Sequence, residues 1–268
     1  MKTIDLVRET RRRLNEDGPE WTRGPELDFA TVTLPERDCD LLRDLLIAER
    51  AGTVVEVGLA YGSSALAIGE ALVAGEAPVT GEPLIAGETS VAGGSGDVFV
   101  TGGAPRHLII DPFQAEAYQN VGWNLLTRAG LDRIAELIPQ PSSEALPRLL
   151  AEGLVADAAF VDGSHRFHEV FVDLYYLRKI VKPGGLIILD DDWAPSIRTA
   201  VRYFERNLGW TVLPGAFDGG TKVAAGAVTG EQMVRGSGTV AGNPRCRAIR
   251  LPDERFEPAF DDFRQFVE

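Results

Sequence analysis

Residues 158–191 read "AAFVDGSHRFHEVFVDLYYLRKIVKPGGLIILDD", and this stretch predicts a strand, a helix and a second strand. The apolar run "AAFV" ends in an aspartate, and apolar residues then recur at helical spacing through "FHEVFVDLYYLRKIV". A Lys-Pro-Gly-Gly sequence stops the helix, and the apolar run "LIIL" leads directly into three aspartates. Two strands joined by a helix of this length are predicted to be parallel, because the chain crosses over before it re-enters the sheet.

The same alternation extends outward on both sides of this unit. Further predicted strands are "TVVEV", "HLIID", "RIAELI", "WTVLP" and "TKVAAGAV", and further predicted helices are residues 33–52, 63–75, 115–130, 142–153 and 196–209. This order predicts an α/β fold with a doubly wound, mainly parallel sheet of seven strands. The last two strands, 210–214 and 221–228, are predicted to pair antiparallel at one edge, because only a short glycine-rich turn joins them.

Composition is that of a globular protein and narrows the range of partners. The chain has 268 residues, of which 44% are hydrophobic, and a formal net charge of −13. Nucleic-acid backbones and anionic membranes require clustered Lys and Arg, so we expect neither as a partner. The N-terminus lacks an apolar signal-peptide core, and no uncharged stretch approaches the roughly 20 residues of a membrane span. With only Cys39 and Cys246 present, a reduced, cytoplasmic setting is predicted.

Three regions are predicted along the chain. Residues 1–32 form an N-terminal helical segment, 33–228 form the main domain, and 229–268 form a C-terminal extension without a clear period. Within the main domain, residues 75–105 are rich in glycine. A segment of this length is predicted to be a flap, or a hairpin that contacts another subunit of a homo-oligomer.

Candidate site residues follow the predicted strands, because ligands of open α/β sheets bind beyond the carboxyl ends of the strands. After the first strand, Gly58 and Gly62 permit a tight turn, and the following helix offers free N–H groups to an anion. The later strands are followed by Asp111, by Ser142 and Ser143, by "DGSH" (162–165) and by "DDDW" (190–193).

The acid, Gly-x-x-x-Gly turn and serine of "EVGLAYGSS" resemble motif I of the class I S-adenosylmethionine-dependent methyltransferases. Ala60 stands where the nicotinamide-binding motif requires its middle glycine, which disfavours an oxidoreductase. The stretch 158–191 is similar to small-molecule O-methyltransferases of the catechol and macrocin types, and the resemblance covers about residues 33–228. It implies a Rossmann-like methyltransferase fold whose S-adenosylmethionine is bound by Glu56, Gly58, Ala60, Tyr61, Gly62, Ser63, Ser64, Asp111, Ser142, Ser143 and Asp162.

The resemblance also implies a metal ion and a base. In those enzymes an acid after the fourth strand and an acid pair after the fifth hold Mg²⁺, and the matching residues here are Asp162, Asp190 and Asp191. Three adjacent aspartates leave the register open by one residue, so Asp191 with Asp192 is an alternative pair. Carboxylate oxygens suit Mg²⁺ or another divalent cation. The base lies three residues after the first acid and is His165, as in the macrocin type.

These features predict an S-adenosylmethionine-dependent O-methyltransferase that acts on a hydroxyl of a small molecule, such as a catechol-like ring, a sugar or a natural product. The metal would orient the acceptor hydroxyl and His165 would accept its proton. Two alternatives stay open at this point. One is a metal-independent methyltransferase that uses His165 alone, with the aspartates structural, and the other is a non-catalytic nucleoside-binding or assembly protein.

Overall fold

The computed structural model describes residues 2–20, 29–75, 104–224 and 242–266. The helices are α1 (Thr3–Asp17), α2 (Phe29–Val32), α3 (Glu36–Ala48), α4 (Ser63–Gly75), α5 (Val121–Arg128), α6 (Ser142–Ala151), α7 (Phe167–Ile180) and α8 (Pro195–Leu208). The strands are β1 (Thr53–Val57), β2 (Arg106–Ile110), β3 (Ala135–Ile138), β4 (Ala156–Val161), β5 (Val181–Leu189), β6 (Thr211–Val212), β7 (Lys222–Ala224), β8 (Gly242–Pro244) and β9 (Arg247–Arg250).

Seven of the strands form one sheet in the order β3-β2-β1-β4-β5-β9-β6. Strands β1 to β5 are mutually parallel, whereas β9 runs antiparallel to both of its neighbours, β5 and β6. The strand order reverses between β1 and β4, and such a switch point is where open α/β sheets bind ligands. The predicted α/β fold with a mainly parallel, seven-stranded sheet is confirmed.

The central strands are apolar on both faces, and for this reason they are continuous apolar runs in the sequence. In β4, Ala159 and Val161 belong to a core cluster that includes side chains of α6, α7 and α8. The alternate residues Ala158 and Phe160 belong to the opposite cluster, with side chains of α3 and α4. The helices therefore cover both faces of the sheet, and its edge at the strand ends is where polar side chains can meet.

The closing strands differ from the prediction. Strand β6 lies at the sheet edge, but its predicted partner, 221–228, was assigned wrongly: β7 pairs with β8 in a separate two-stranded sheet. The antiparallel position beside β5 is taken by β9, from the predicted C-terminal extension. The chain that leads into β7 is held away from β6 by hydrogen bonds. Asp38 of α3 accepts them from the backbone N–H and the hydroxyl of Thr221. These bonds tie the chain after β6 to α3.

Helix α5 is shorter than predicted. Residues 115–120 were expected to be helical, but Gln119 and Asn120 have φ values of +52° and +56°. The backbone N–H of Asn120 donates to the carbonyl of Gln114 (2.6 Å), which closes a turn before the helix begins. Asparagine adopts this left-handed conformation more readily than most other residues do.

The remaining predictions on chain organisation concern the N-terminal segment (1–32), the C-terminal extension (229–268) and the glycine-rich insertion (75–105). In the N-terminal segment, Val7 and Leu14 of α1 share a core cluster with Leu66 of α4. Residues 76–103 of the predicted flap or hairpin lie outside the described residues. Within the part of the chain that the structure describes, none of the helices has the length and apolar character needed to cross a membrane. The division into three regions stays a prediction.

Candidate active site

The carboxyl ends of the parallel strands lie in one row across the sheet. The last residues of the five strands are in register with one another, in the order Ile138, Ile110, Val57, Val161 and Leu189. The residues that follow them therefore lie along a single edge. Because β9 is antiparallel, its N-terminal end reaches the same edge, where the backbone N–H of Asp192 donates to the carbonyl of Arg245 (2.9 Å).

The turn between β1 and α4 contains three residues in the left-handed conformation. Gly58, Ala60 and Gly62 have φ values of +95°, +45° and +86°. A Cβ atom at Gly58 would lie 2.0 Å from the carbonyl oxygen of Asp162, so a glycine is required for the loops after β1 and β4 to touch. The carbonyl of Ala60 accepts a hydrogen bond from the side-chain amide of Gln114 (2.9 Å), which holds the strained alanine in place.

The first turn of α4 offers an unpaired hydroxyl. Ser63 is buried, and its Oγ has no hydrogen-bond partner among the described residues. Buried polar atoms are nearly always paired, so an orphaned hydroxyl at a helix start fits a ligand position. Ser64 differs, because its hydroxyl donates to the buried carboxylate of Glu56 (2.6 Å). Glu56 also lies 2.8 Å from His107 Nε2, and it therefore supports the turn from inside the sheet.

Asp111, at the end of β2, is hydrogen-bonded mainly to the glycine turn itself. Its Oδ2 accepts from the backbone N–H groups of Leu59 and Ala60 (3.0 Å each) and from the Gln114 amide (2.8 Å). Its Oδ1 accepts from the N–H of Phe113 (2.7 Å). A carboxylate oxygen has two lone pairs, so Oδ1 keeps one for a further donor such as a ribose hydroxyl.

The other predicted cofactor residues lie partly in the core and partly on the surface. Tyr61 is 1% exposed, and its ring meets those of Phe29 and Tyr118 edge-on, with centroids 5.5 and 5.2 Å away. Ser142, at the start of α6, donates a hydrogen bond to the buried Asp173 of α7, whereas Ser143 is exposed. Tyr61 is therefore part of an aromatic cluster next to the turn.

Three acids meet where β4 and β5 end. One carboxylate oxygen from each of Asp162, Asp190 and Asp191 lies within 4.8 Å of the other two, and we call these residues the acid cluster. Burial and the charges of the other two aspartates raise the pKa of Asp162 well above its ordinary value. Asp192, the alternative in the sequence register, pairs instead with Arg247 Nε (2.8 Å) and with Arg198 (3.4 Å).

A guanidinium group lies against the acid cluster. Arg245 is 5% exposed, and its Nε and Nη2 contact both carboxylate oxygens of Asp190 at distances of 2.7, 3.0 and 2.5 Å. Its Nε also lies 3.5 Å from Asp191 Oδ1. Burial alone would lower the pKa of Arg245, but the charges of these aspartates raise it, so the guanidinium stays charged.

His165 faces the same cluster from the loop before α7. Its Nε2 lies 2.9 Å from Asp191 Oδ2, and its ring is edge-on to Trp193, with the centroids 5.8 Å apart. The hydrogen bond with Asp191 raises the pKa of His165. The side chain is 48% exposed, so a ligand can reach the imidazole. The other two histidines lie elsewhere, His107 in the buried sheet and His168 on the exposed face of α7.

The predicted ligands of Mg²⁺ are close together, but two of the three are already hydrogen-bonded to the protein. A carboxylate has about four lone-pair positions. Those of Asp190 are taken by Arg245 and by Cys246 Sγ (3.3 Å), whereas each oxygen of Asp191 accepts one hydrogen bond, from His165 or from the Trp193 indole. In this arrangement Asp190 has no lone pair left for a divalent cation, so the three carboxylates do not fit the predicted Mg²⁺ site unless Arg245 moves away.

S-adenosylmethionine fits the other half of the edge. The Ser63 hydroxyl, which has no partner in the described part of the chain, and the first turn of α4 suit the carboxylate of its methionine part. Gly58 and Gly62 let the backbone approach closely, and Asp111 Oδ1 is available for a ribose hydroxyl.

Sequence reasoning missed two residues of this edge, Arg245 and Gln114. Gln114 lies one turn after Asp111 in "DPFQ", where a hydrogen bond back to the glycine turn was not foreseen. Arg245 lies two residues before the strand sequence "RAIR" (247–250). The sequence did contain a signal for Arg245. Residues just before an antiparallel strand lie at the same edge of the sheet as residues just after the parallel strands.

Comparison with known proteins agrees with this fold. Residues 55–191, about half of the 268-residue chain, match the family model for a methyltransferase domain. No curated protein sequence matches the chain.

Solved structures with a similar fold are distant in sequence. The O-methyltransferase TomG from Streptomyces achromogenes, involved in tomaymycin synthesis and bound to SAM, is 14% identical, with 94% of this chain and 90% of that chain covered and a TM-score of 0.53. The O-methyltransferase from Bacillus cereus, bound to SAH, is 13% identical, with 93% and 90% covered and a TM-score of 0.52. Together with the family match, the fold leads to one conclusion: the chain belongs to the methyltransferase domain family and is a class I S-adenosylmethionine-dependent methyltransferase.

Proposed function

We propose that the protein is an O-methyltransferase that methylates a hydroxyl oxygen of a small molecule. The observation that carries the proposal is the contact between Gly58 and the backbone of Asp162. This contact joins the turn that suits the cofactor to the loop that carries His165. A base must lie next to the donor to serve an attacking hydroxyl, and this adjacency supports direct transfer to an acceptor bound beside residues 162–165.

The cofactor side of the site is assigned to the glycine turn. S-adenosylmethionine, when bound, supplies an electrophilic methyl carbon on a positively charged sulfur. Ser63 and the N–H groups at the start of α4 would bind its carboxylate. Asp111 holds the turn in shape through Leu59 and Ala60 and would accept a ribose hydroxyl at Oδ1.

His165 is the proposed base. With Nε2 donating to Asp191, Nδ1 is left as the acceptor and has no hydrogen-bond partner within the described residues. An imidazole has an ordinary pKa close to neutrality, which suits proton transfer in either direction. Nδ1 would therefore accept the proton that the acceptor hydroxyl loses when it is methylated, and Asp191 would keep the imidazole in the required tautomer.

The surroundings of His165 favour a neutral or cationic acceptor that contains a ring. Trp193 lies beside the imidazole and offers an aromatic surface. The acid cluster and the net charge of −13 disfavour an anionic acceptor. Oxygen as the accepting atom is further supported by analogy, because TomG and the Bacillus cereus protein are both described as O-methyltransferases.

Metal dependence separates two forms of the proposal. In one, Mg²⁺ on Asp162, Asp190 and Asp191 binds the acceptor hydroxyl, as the resemblance implies. In the other, His165 and Asp191 act without a metal. The bidentate pairing of Asp190 with Arg245 favours the metal-independent form.

The experiment is a calorimetric titration with S-adenosylmethionine, first with Mg²⁺ and then after chelation, followed by turnover with catechol and sugar acceptors. We expect cofactor binding under both conditions and a product that carries one more O-methyl group. Failure to bind the cofactor would overturn the proposal. Binding without methylation of any hydroxyl acceptor would favour the non-catalytic alternative, and turnover that is lost on chelation would favour the metal-dependent form.

A further inference from the structure

We propose that the guanidinium of Arg245 takes the place of the divalent cation that the acid cluster was predicted to hold. The wild-type chain then has no divalent-metal site at these aspartates, and removing the guanidinium creates one. The inference deepens the proposed function and rests on it for the location of the acceptor. Its test, however, measures metal binding and not methyl transfer, so the two can fail separately.

The carboxylate of Asp190 is already occupied by hydrogen-bond donors of the protein. Both of its oxygens accept from Arg245, at 2.7 and 2.5 Å for the closest contacts, and Oδ1 also accepts from Cys246 Sγ (3.3 Å). Mg²⁺ requires ligand oxygens at about 2.1 Å, on lone pairs that no N–H group occupies. A metal ion on Asp190 would therefore have to displace the guanidinium or share the carboxylate with another positive charge.

The guanidinium of Arg245 has little freedom to move away from Asp190. The backbone N–H of Arg245 donates to the carbonyl of Thr221 (2.8 Å), and its carbonyl accepts from the N–H of Asp192 (2.9 Å). Its Nη1 lies 3.5 Å from the carbonyl oxygen of Thr33. These contacts fix both the main chain and the far end of the side chain, which is 5% exposed.

The acid cluster concentrates negative charge next to Arg245. Three neighbouring carboxylates repel one another, and such a group requires a cation or a bound proton. Arg245 gives one positive charge to Asp190, and its Nε lies 3.5 Å from Asp191. Asp162 is the member of the cluster whose carboxylate has no hydrogen-bond partner among the described residues, although its backbone N–H donates to Val57. The cluster is thus compensated in part within the chain, and Arg245 acts as a positioning residue that keeps Asp191 directed at His165.

The experiment measures Mn²⁺ binding by calorimetry and the shift of the thermal midpoint in excess Mn²⁺, using the full chain. The variants are Arg245→Ala, Arg245→Lys and the double variant Arg245→Ala with Asp190→Asn. Arg250→Ala is the matched control, because Arg250 is also on β9 and is paired with a carboxylate, Glu49, away from the cluster. We expect no binding to the wild type, to Arg245→Lys or to the control.

For Arg245→Ala we expect one Mn²⁺ site and a rise of the midpoint by about 5 °C, both lost in the double variant. An Arg245→Ala chain that folds only with Mn²⁺ would support the proposal equally. A folded Arg245→Ala chain that binds no more Mn²⁺ than the wild type would overturn it. Should Arg245→Ala fail to fold at all, Mn²⁺ binding to the wild type becomes the test. One Mn²⁺ site in the wild type that disappears in Asp190→Asn would overturn the proposal. The absence of such a site would support it.

Discussion

His165 and Asp191 form a pair at the carboxyl edge of the sheet, with imidazole Nε2 2.9 Å from carboxylate Oδ2. Asp191 has a φ of +52°, a left-handed conformation that costs a non-glycine residue about 1–3 kcal/mol. Its second oxygen accepts the indole N–H of Trp193 (2.6 Å). The strained backbone thus directs one oxygen at Trp193 and the other at His165, and this orientation leaves Nδ1 of the imidazole facing away from the acid.

Replacing His165 with glutamine should lower kcat by about 10²–10³-fold, which is the usual contribution of a general base. The affinity for S-adenosylmethionine should stay within about twofold, because the imidazole bonds to Asp191 and not to the glycine turn. Steady-state methyl transfer and calorimetry measure the two quantities. His168→Gln is the matched control, since His168 is exposed and lies three residues further on. Similar losses in both variants would contradict the role of His165.

Replacing Asp191 with asparagine tests whether His165 and Asp191 act as a unit. The amide keeps the volume of the carboxylate but cannot fix the imidazole tautomer, so kcat should fall about 10–100-fold. In the double variant with His165→Gln, kcat should be no lower than in His165→Gln alone, because residues that act together are not additive. Losses that multiply in the double variant would indicate independent roles.

The row of strand ends could be predicted because it depends on local sequence. Apolar runs such as the one that ends at Leu189 mark where a buried strand stops, and the register of parallel strands then brings Asp111, Asp162 and Asp190 to one edge. The fold class and the membership of the acid cluster follow from these boundaries.

Arg245 could not be predicted in the same way, because its position depends on pairing between distant segments. Strand β9 has four residues with arginine at both ends, which gives a weak strand signal. Its place beside β5 also depends on the chain after β6 being tied to Asp38 through Thr221. The start of α5 was missed for a related reason, since Gln119 and Asn120 are left-handed in a turn closed by Gln114.

Gly58→Ala should destabilise the protein by about 3 kcal/mol or more, because it combines a left-handed backbone with a steric clash. The new Cβ would lie 2.0 Å from the carbonyl oxygen of Asp162. Gly153→Ala is the control, since Gly153 has a φ of +78° but no atom within 4 Å of the added Cβ. Gly153→Ala should lower the free energy of unfolding by about 1 kcal/mol. Urea unfolding measures the stability of both variants. Equal losses of unfolding free energy would show that the close approach of Gly58 to Asp162 adds nothing to the cost of the substitution.

Asp173 of α7 should make the stability of the protein depend on pH. It is 1% exposed, and burial raises its pKa from 3.8 to about 7, with a smaller contribution from the charge of Glu169 and an opposing hydrogen bond from Ser142. The folded state therefore holds this proton more tightly than the unfolded chain does. The free energy of unfolding must then fall as pH rises from about 4 to about 7, and the loss is complete above pH 7.

Asp173→Asn removes this loss, because the amide does not ionise. Relative to the wild type, the variant should gain about 2–3 kcal/mol of unfolding free energy between pH 5 and pH 8, at about 1.4 kcal/mol per pKa unit. The change with pH is the informative quantity, since the packing of the amide adds the same offset at both values. Urea unfolding at the two pH values measures it, with Asp132→Asn as the control at an exposed aspartate. A variant whose stability follows that of the wild type across this range would show that Asp173 ionises in the folded protein as easily as in the unfolded chain.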